Sequence, residues 1–241
     1  MAGSQPSLDN GSLGPRRSLP EAIADSVAES IALGRLQPGE RVVEVTLAQA
    51  LGVSRVPTRE ALKVLHTQGI LVGGGYKGLF VADFGPAMVA RVFELRLTLE
   101  TFLLRDAIVN WRNKTSDFNA LKGKLLAIQR AARAGDVAQM RQADLDFHRG
   151  VCAAADNPLT ATLWEAIARH VLIILSLEGL EESDLAEVVA HHEAFLAFAE
   201  NQVTRGGGIN AVRRGVEAHL LMAAKGAALK DIRRRTYAQS V

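Results

Sequence analysis

The stretch 47-LAQALGVSRVPTREALKVLHTQGIL-71 decides the fold of the N-terminal part of the chain. It begins with a short apolar helical segment that Gly52 ends, and Ser54 is a suitable N-cap for a second helix running to about Gln68. A short helix, a tight turn and a second helix make a helix-turn-helix, whose second helix fits the major groove of DNA. The sequence therefore predicts a local nucleic-acid site in this segment.

The residues on either side complete a small domain. Upstream, apolar residues recur at helical spacing over 19–31, and the pair Pro38-Gly39 follows that first helix as a turn. Downstream, two short apolar runs at 70–72 and 79–81 surround the glycine-rich turn GGGYKG. Because two such runs around a glycine turn are typical of a β-hairpin, we expect a wing beside the helix-turn-helix.

The second helix has a cationic face near its start. Arg55, Arg59 and Lys63 recur at about one-turn spacing, and Ser54 and Thr58 add hydroxyl groups at the same end. An arginine fork matches guanine O6 and N7 or a phosphate, and free backbone amides at a helix start suit a phosphate oxygen. These five residues are the candidates for DNA contact. Periodicity alone leaves one alternative open, an amphipathic helix whose charged face is only solvated.

The order of these motifs resembles a known family. RLQPGERVVEVTLAQALGVSRVPTREALKVLHTQGIL, followed by GYKGLFV, is similar to the winged helix-turn-helix of the GntR family of bacterial transcription regulators. The resemblance implies that Ser54, Arg55 and Arg59 touch operator DNA. It also implies that the wing, near Gly75 to Gly78, reaches the neighbouring minor groove.

Composition limits the class of protein. The 241 residues are 48% hydrophobic, enough to bury a sizeable core, and the formal charge of +2 excludes a polycation that binds any polyanion. Cys152 is the single cysteine, which excludes a disulfide framework and a cysteine-rich zinc site. No uninterrupted apolar run approaches the roughly 18 to 20 residues of a membrane helix, and the start lacks a signal peptide's apolar block. We therefore expect a cytoplasmic protein without a membrane partner.

The 3.6-residue apolar period dominates from about Pro86 onward, which predicts an all-helical second domain. The expected fold class is mainly α, with an N-terminal winged helix-turn-helix and a C-terminal helical bundle. Helices are expected near 86–111, 115–134, 136–155, 157–178, 183–202 and 207–226. The expected divisions are a disordered tail at 1–17, a DNA-binding domain at 18–83, a helical ligand-binding and dimerisation domain at 84–232, and a C-terminal tail at 233–241.

Polar residues interrupt the apolar stripes of this second domain. Asp144 and His148 lie one turn apart on a stripe that should face the core, and His192 and His219 interrupt two later helices. Such a set suits a divalent metal ion, Zn²⁺ first and Ni²⁺ or Mn²⁺ as alternatives, with open positions for water or an anion. Two other interpretations stay open: each histidine is a hydrogen-bonded core residue, or His191 stands in for His192.

The same region resembles the helical FCD domain of FadR-type GntR regulators, through DLDFH, AADNPL, HHEAFLAF and AVRRGVEAHL. In that domain an aspartate, the histidine four residues on, and histidines from two later helices hold a metal beside an effector carboxylate. The resemblance gives these roles to Asp144, His148, His192 and His219.

Arg96 lies on an apolar stripe in FELRLTLE, which is similar to a helix near the start of the FCD domain. A buried arginine needs an anion. One interpretation is a clamp on the effector carboxylate, and the other is an ion pair with Glu100 or another acid.

These expectations combine into one function. The chain is expected to be a ligand-responsive transcription regulator that binds a two-fold symmetric double-stranded operator as a homodimer. A repressor is favoured, and an activator stays open as the alternative. A small organic acid bound at the metal would change the spacing of the two winged domains. No enzyme activity is expected. The alternatives are a metal-dependent hydrolase acting on a small carboxylate, because a metal with an open position activates water, and a helical domain that serves only for dimerisation.

Overall fold

The computed structural model describes residues 18–74, 78–177 and 184–222. The tails expected at 1–17 and 233–241 lie outside the described residues, as do residues 75–77 of the wing and the expected end of the last helix at 223–226. The fold is mainly α with one small sheet, as the sequence predicts. Its helices are α1 (Leu19–Ala32), α2 (Glu44–Leu51), α3 (Arg55–Thr67), α4 (Pro86–Arg112), α5 (Phe118–Arg133), α6 (Val137–Ala155), α7 (Pro158–Leu177), α8 (Leu185–Arg205) and α9 (Ile209–Met222).

Helices α1 to α3 form the helix-turn-helix part. Gly52 ends α2 in the left-handed conformation (φ 65°), which a residue without a side chain adopts at little cost. Ser54 then caps the start of α3 at extended backbone angles. Ile31 of α1 and Leu65 of α3 are among the fully buried side chains, so the two helices share one apolar core. This packing fixes the direction in which α3 points.

The wing is a three-stranded antiparallel sheet in the order β1-β3-β2, with β1 at Arg41–Val42, β2 at Leu71–Gly73 and β3 at Leu79–Val81. Strand β1 was not predicted, because two residues are too few to show an alternating pattern. Its Arg41 pairs with Phe80, which brings the chain before the helix-turn-helix against the hairpin. The wing is thereby joined to the chain on both sides of the helix-turn-helix.

Helices α4 to α9 form a bundle whose bounds agree with the prediction to within about a turn. The 27-residue α4 packs against α6, α7, α8 and α9 and so forms the centre of the bundle. The core contains the fully buried Leu104, Met140, Phe147, Trp164 and Ile173. Polar residues carried on α4, α6, α8 and α9 are therefore brought towards one interior.

Helix α7, with 20 residues and a mean hydropathy of 1.3, is the one described helix that is long and apolar enough to cross a membrane. In the described structure it is instead a helix of the bundle. Trp164, Ala168, Val171 and Ile173 are buried, and α7 packs against α1, α4 and α6. An apolar helix of this length is accounted for by core packing on several sides.

A candidate DNA-binding face and a candidate metal centre

The exposed side of α3 begins at its N-terminus. Ser54 is exposed and its side chain makes no capping hydrogen bond, so its hydroxyl is directed to no backbone group of the helix. Arg55, Arg59 and Lys63 are exposed on the following turns. Lys63 Nζ lies 2.8 Å from Glu60 Oε1 in an exposed ion pair of the kind that contributes little to stability. The structure thus places these four residues together on the surface.

Glu44 of α2 connects the two arginines. Arg59 donates to it through Nε (2.9 Å) and Nη2 (3.0 Å), and Arg55 donates through Nε (3.0 Å). The hydrogen bonds from Arg59, with a smaller contribution from Arg55, outweigh burial and lower the pKa of Glu44 to about 2. The carboxylate is therefore ionised at neutral pH and holds both guanidinium groups on one side of α3.

Thr58 does not belong to this face, and its expected contact with DNA is wrong. Its side chain is fully buried, and Oγ1 donates to the backbone carbonyl oxygen of Ser54 (2.9 Å). Position 58 faces the interior with Ala61, Leu62 and Leu65. A small β-branched residue fits that interior, so the Thr58 hydroxyl stabilises the first turn of α3 and is not available to DNA.

A groove of about 540 Å³ lies between α3 and the wing. Its lining includes Arg41, Arg59, Lys63, His66 and Gly78, so its charged side chains are mostly cationic. Gly78 has φ 86°, and a Cβ there would come within 2.8 Å of Arg41 Nε. A glycine is therefore required where the wing meets the Arg41 side chain.

Three residues of this surface were not singled out from the sequence. Glu44 and Arg41 lie outside the helix that carries the motif, and only the fold brings them to Arg59 and the wing. Val56 is 71% exposed at the start of α3, an unusual position for an apolar side chain and one suited to the methyl group of thymine. The sequence signal that could have identified Val56 is its position as an apolar residue on the charged face of the helix.

The helical part brings together His148 of α6, His192 of α8 and His219 of α9. One nitrogen atom of each can be chosen so that the set lies within 4.8 Å, and all three side chains are buried. Ligand atoms around Zn²⁺, each at about 2.1 Å, lie roughly 3.4 Å apart, so a small inward movement would complete such a site. The histidine positions inferred from separate helices therefore lie together in the interior of the bundle.

Asp144 faces His192. His192 Nδ1 lies 2.8 Å from the carbonyl oxygen of Val188, an atom that only accepts, so Nδ1 carries a proton and donates it. His192 Nε2 lies 3.1 Å from Asp144 Oδ1. Among the described residues, neither this nitrogen nor Asp144 Oδ2 has a hydrogen-bond partner. A neutral imidazole would direct a lone pair at a carboxylate, so a proton or another cation must lie between them.

His148 is oriented by Glu100 of α4. His148 Nδ1 lies 3.0 Å from Glu100 Oε2, and Nε2 lies 3.1 Å from Arg96 Nη2. Because a guanidinium only donates, His148 Nε2 has the lone pair and Nδ1 has the proton. A carboxylate behind a histidine, with the lone pair on the other nitrogen, is the arrangement that surrounds many protein metal ions, although here Arg96 occupies that lone pair.

Glu100 is the residue that the sequence offered only as a partner for Arg96. That ion pair is present: Arg96 Nε donates to Glu100 Oε1 (2.7 Å). The indole nitrogen of Trp164 also donates to Oε1 (3.1 Å). Burial alone would raise the pKa of Glu100, but the charge of Arg96 and the contact with His148 outweigh it and hold the pKa well below its usual range.

The remaining ligand candidates are held as neutral or anionic groups. Burial, and then the nearby His192 and His148, keep the pKa of His219 well below its usual value, so its imidazole is neutral. Burial would raise the pKa of Asp144, but the contact with His192 outweighs it and lowers the pKa. A neutral imidazole and a carboxylate are the forms that bind metal ions.

His191 lies apart from this group, although it is also buried. Its Nε2 lies 3.6 Å from Glu187 Oε1, one turn earlier on α8. The structure thus directs His192, and not its neighbour, towards Asp144. Periodicity could not separate the two, because adjacent positions on a helix differ by only about 100°.

A metal-dependent hydrolase would also need a general base, but the acids next to the candidate ligands in the sequence, Glu193 and Asp146, are directed elsewhere. Glu193 is exposed and accepts from Gln129, and Asp146 contacts Gln142 and Arg149. The four candidate ligands and Arg96 fit an ion with a bound anion: three imidazoles, a carboxylate, and a buried guanidinium 3.1 Å from one ligand nitrogen. The chemistry of this donor set is that of binding.

Comparison with known families divides the chain in the same way. Residues 19–81 match the family described as bacterial regulatory proteins, gntR family, and residues 91–206 match the FCD domain. Together these two matches cover most of the chain. The GntR match contains the helix-turn-helix and wing, and the FCD match contains Asp144, His148 and His192 but ends before His219.

Individual proteins give the same picture. The chain is 29% identical over 162 residues (67% of the chain, 70% of the relative) to a probable D-xylose utilization operon transcriptional repressor of Paenarthrobacter nicotinovorans. It is 25% identical over 181 residues (72% of each chain) to the gluconate operon transcriptional repressor of Bacillus subtilis. The solved structure of E. coli McbR/YncC shares the fold, with a TM-score of 0.67 at 19% identity over 94% of this chain and 100% of that one.

Proposed function

Because the chain belongs to the GntR family of bacterial transcription regulators and carries an FCD domain, we propose that it is a ligand-responsive repressor. In this proposal residues 18–83 bind operator DNA, and residues 84–232 dimerise and bind a divalent metal ion and a small organic acid. The ion is Zn²⁺ in preference to Ni²⁺ or Mn²⁺. The comparisons indicate a DNA-binding regulator and not an enzyme.

The observation that carries the metal proposal is the contact between His192 and Asp144. The buried Nε2 of His192 and the buried Oδ1 of Asp144 lie 3.1 Å apart, and His148 and His219 offer nitrogens beside them. A divalent ion would satisfy all four groups at once, whereas a single proton satisfies one pair. Asp144, His148, His192 and His219 are accordingly the proposed ligands. The bound ion would supply a positive charge for an anionic ligand.

Arg96 supports an acid as the effector. Its guanidinium is buried and makes contacts with both Glu100 and His148 Nε2. An ion bound by His148 Nε2 would compete with that second contact, so the Nη2 group would turn to another acceptor. A carboxylate of the effector, placed between Arg96 and the ion, provides one. Arg96 then discriminates acids from neutral compounds of the same size.

DNA binding is proposed to use the surface between α3 and the wing. Ser54, Arg55, Arg59 and Lys63 would contact the major groove and its phosphates, and Gly78 would allow the wing to approach the neighbouring minor groove. Positive side chains line this groove although residues 18–83 hold six Lys or Arg against seven Asp or Glu. A local patch of this kind needs a second copy for strong binding.

An exposed apolar stripe on α4 supports a homodimer. Leu95, Phe102 and Val109 are each more than 40% exposed and stand seven residues apart, on one side of the helix. A stripe with this spacing is typical of helices that pack against a partner helix. Phe102→Glu should therefore produce a monomer in sedimentation equilibrium, while Leu126→Glu, at an exposed apolar position on α5, should leave the association unchanged.

The named relatives support the sign of regulation and the class of effector. Two of them are described as repressors, of operons for D-xylose utilization and for gluconate. Gluconate is a small carboxylic acid, which agrees with a site made of a metal ion and an arginine. We extend both features to this chain, which would act in the cytoplasm where its operator lies.

The effector proposal is tested by titrating D-gluconate and a set of small hydroxy acids into the full chain by calorimetry, first with Zn²⁺ and then after chelation. At least one acid should bind only in the presence of Zn²⁺, and Arg96→Gln should weaken that binding. Arg91→Gln, an exposed arginine on the same helix, is the matched control and should bind normally. Equal binding of acids with and without the ion would contradict the proposal.

A further inference from the structure

Helix α7 contacts the histidine cluster on one side and the winged part of the chain on another. Near its start, the fully buried Trp164 donates to Glu100 Oε1 (3.1 Å), and its ring stacks near that of His148 with centroids 6.1 Å apart. Five residues later, about 7.5 Å along the helix axis, Arg169 points to α1. One helix therefore contacts both the histidine cluster and the winged part of the chain.

Arg169 binds the winged part through its whole guanidinium group. Nε donates to Asp25 Oδ1 (2.9 Å), Nη1 donates to Gln68 Oε1 (3.1 Å), and Nη2 contacts the Glu21 carboxylate. Asp25 and Glu21 belong to α1, and Gln68 is the residue at which α3 ends. Arg169 is only 8% exposed, while the side chains of Glu21 and Asp25 are 42% and 32% exposed, so the ion pairs join a buried guanidinium to carboxylates that solvent reaches.

The neighbouring residue strengthens the same junction. His170 is buried, interacts with the backbone of Gln68, and lies with its ring 6.2 Å from that of Phe84, in the segment that joins the wing to α4. Two successive residues of α7 thus contact the end of α3. A displacement of α7 cannot leave the position of α3 unchanged unless these contacts break.

Open space lies on both sides of the junction between Arg169 and α1. A groove of about 390 Å³ between α1, α6 and α7 lies on one side of Arg169, and a second of about 450 Å³ lies on the other. A close-packed interface resists movement, whereas one flanked by open space can take up a second position. Arg169 can therefore stay bound to α1 while the angle between the winged part of the chain and the helical bundle changes.

We infer that α7 carries the state of the histidine cluster to the winged part of the chain, with Arg169 as the positioning residue. The inference rests on the proposed function of that cluster as a metal site. Glu100 Oε1 accepts from both Arg96 and Trp164. An ion bound by His148 Nε2 would displace Arg96 Nη2 from that nitrogen, so a contact of Arg96 or Trp164 with Glu100 would lengthen, and Trp164 and α7 would shift with Glu100.

The test is hydrogen exchange followed by mass spectrometry on the full chain, with Zn²⁺ alone as the probe. In the wild type, Zn²⁺ should slow exchange in α6 and α8, which carry ligands, and also change exchange in α1, which carries none. In Arg169→Met the effect in α6 and α8 should remain and the effect in α1 should be lost. The retained effect in α6 and α8 shows that the variant is folded.

Arg112→Met is the matched control. Arg112 joins α4 to α8 by donating to the carbonyl oxygens of Gln202 and Val203, far from α1. It should keep the Zn²⁺ effect in α1. Arg169→Lys retains the positive charge but has no fork for three partners, so it should keep only part of the effect. An unchanged Zn²⁺ effect in α1 of Arg169→Met, or no effect in α1 of the wild type while α6 and α8 respond, would overturn the inference.

A second arm separates this inference from the metal proposal. If Zn²⁺ leaves α6 and α8 unchanged, the metal proposal fails, and Trp164→Phe becomes the perturbation of the cluster. It removes the indole donor to Glu100 and retains an aromatic ring. The inference predicts altered exchange in α1 of Trp164→Phe, and loss of that alteration in the double variant with Arg169→Met. No change in α1 would refute it.

Discussion

Arg59 donates two hydrogen bonds to Glu44, so the arginine proposed to read DNA is held by a carboxylate of the preceding helix. Arg55 shares the same carboxylate. A fixed guanidinium loses less conformational freedom when it meets a base edge, and a nearby negative charge penalises contact with phosphate that is not matched by a base contact. The pair therefore favours discrimination between sequences over total affinity.

The first prediction concerns Glu44→Gln. The variant should bind random DNA more tightly than the wild type, because a negative charge near the phosphates has been removed, and should discriminate less between operator and random sequence. Titration of an operator fragment and a shuffled fragment of equal length, at one salt concentration, measures both. Glu29→Gln, which removes an exposed negative charge from α1 without touching either arginine, is the control. An unchanged ratio of the two affinities would contradict the positioning role.

The second prediction separates two adjacent histidines. His192→Ala should lose most of the bound Zn²⁺, because His192 faces Asp144, whereas His191→Ala should retain about one ion per chain. Elemental analysis after dialysis against a Zn²⁺ buffer measures both. Because the two residues are buried neighbours on α8, a general loss of stability would affect both variants. Normal metal content in His192→Ala would remove it from the site.

The third prediction concerns Glu100, which contacts His148 Nδ1 and is not itself a proposed ligand. Glu100→Gln should weaken Zn²⁺ binding roughly 10- to 100-fold, as is usual when the partner behind a metal-binding histidine is changed. Competition with a chromophoric chelator gives the affinity. Glu94→Gln, an exposed position on the same helix, should bind Zn²⁺ as the wild type does. Equal affinities for all three proteins would show that Glu100 has no part in the site.

The fourth prediction is a pH dependence that originates at the junction of α7 with the wing. Burial, with a smaller contribution from Arg169, lowers the pKa of His170, against the opposing interaction with the backbone of Gln68. Between that lowered pKa and the value of about 6.5 in the unfolded chain, the unfolded state binds more protons than the folded state. The free energy of unfolding should therefore fall as the pH drops below about 6.5.

His170→Gln removes this titration and should give a shallower fall. Urea unfolding of both proteins in chelator, at several pH values from about 8 down to about 5, measures the difference, since the other groups titrate in both. Above about pH 7.5 the two curves should run parallel, because the imidazole is neutral in both states there. Parallel curves over the whole range would contradict the prediction.

The sequence predicted the elements whose signal is local. The motif from Leu47 to Leu71 shows the helix-turn-helix, because caps, glycine turns and helical period are properties of neighbouring residues. The long helices of the second domain follow for the same reason. Strand β1 was not predicted, because its two residues show no period. Thr58 was assigned to the surface, but its hydroxyl donates to the backbone carbonyl oxygen of Ser54, one helical turn earlier.

The candidate site was predicted as a set of residues but not as a network. Asp144, His148, His192 and His219 stand out because each interrupts an apolar stripe. The roles of Glu100 and Trp164 depend on which helices pack side by side, since Trp164 of α7 donates a hydrogen bond to the carboxylate of Glu100 on α4. The choice between His191 and His192 likewise depends on the rotation of α8 against α6. Such contacts are set by tertiary packing, which a single sequence does not display.

The most direct test of the regulator is selection of DNA from the source genome. Fragments are passed at moderate salt over the immobilised, Zn²⁺-loaded full chain and over its Arg55→Ala, Arg59→Ala and Arg133→Ala variants, and the retained fragments are sequenced. The wild type and Arg133→Ala, whose arginine is exposed on α5, should retain a few fragments that share a short inverted repeat. Arg55→Ala and Arg59→Ala should bind those fragments roughly 10- to 100-fold more weakly. Retention of no fragment above background, or equal binding by all four proteins, would contradict the assignment of α3 as the helix that reads DNA.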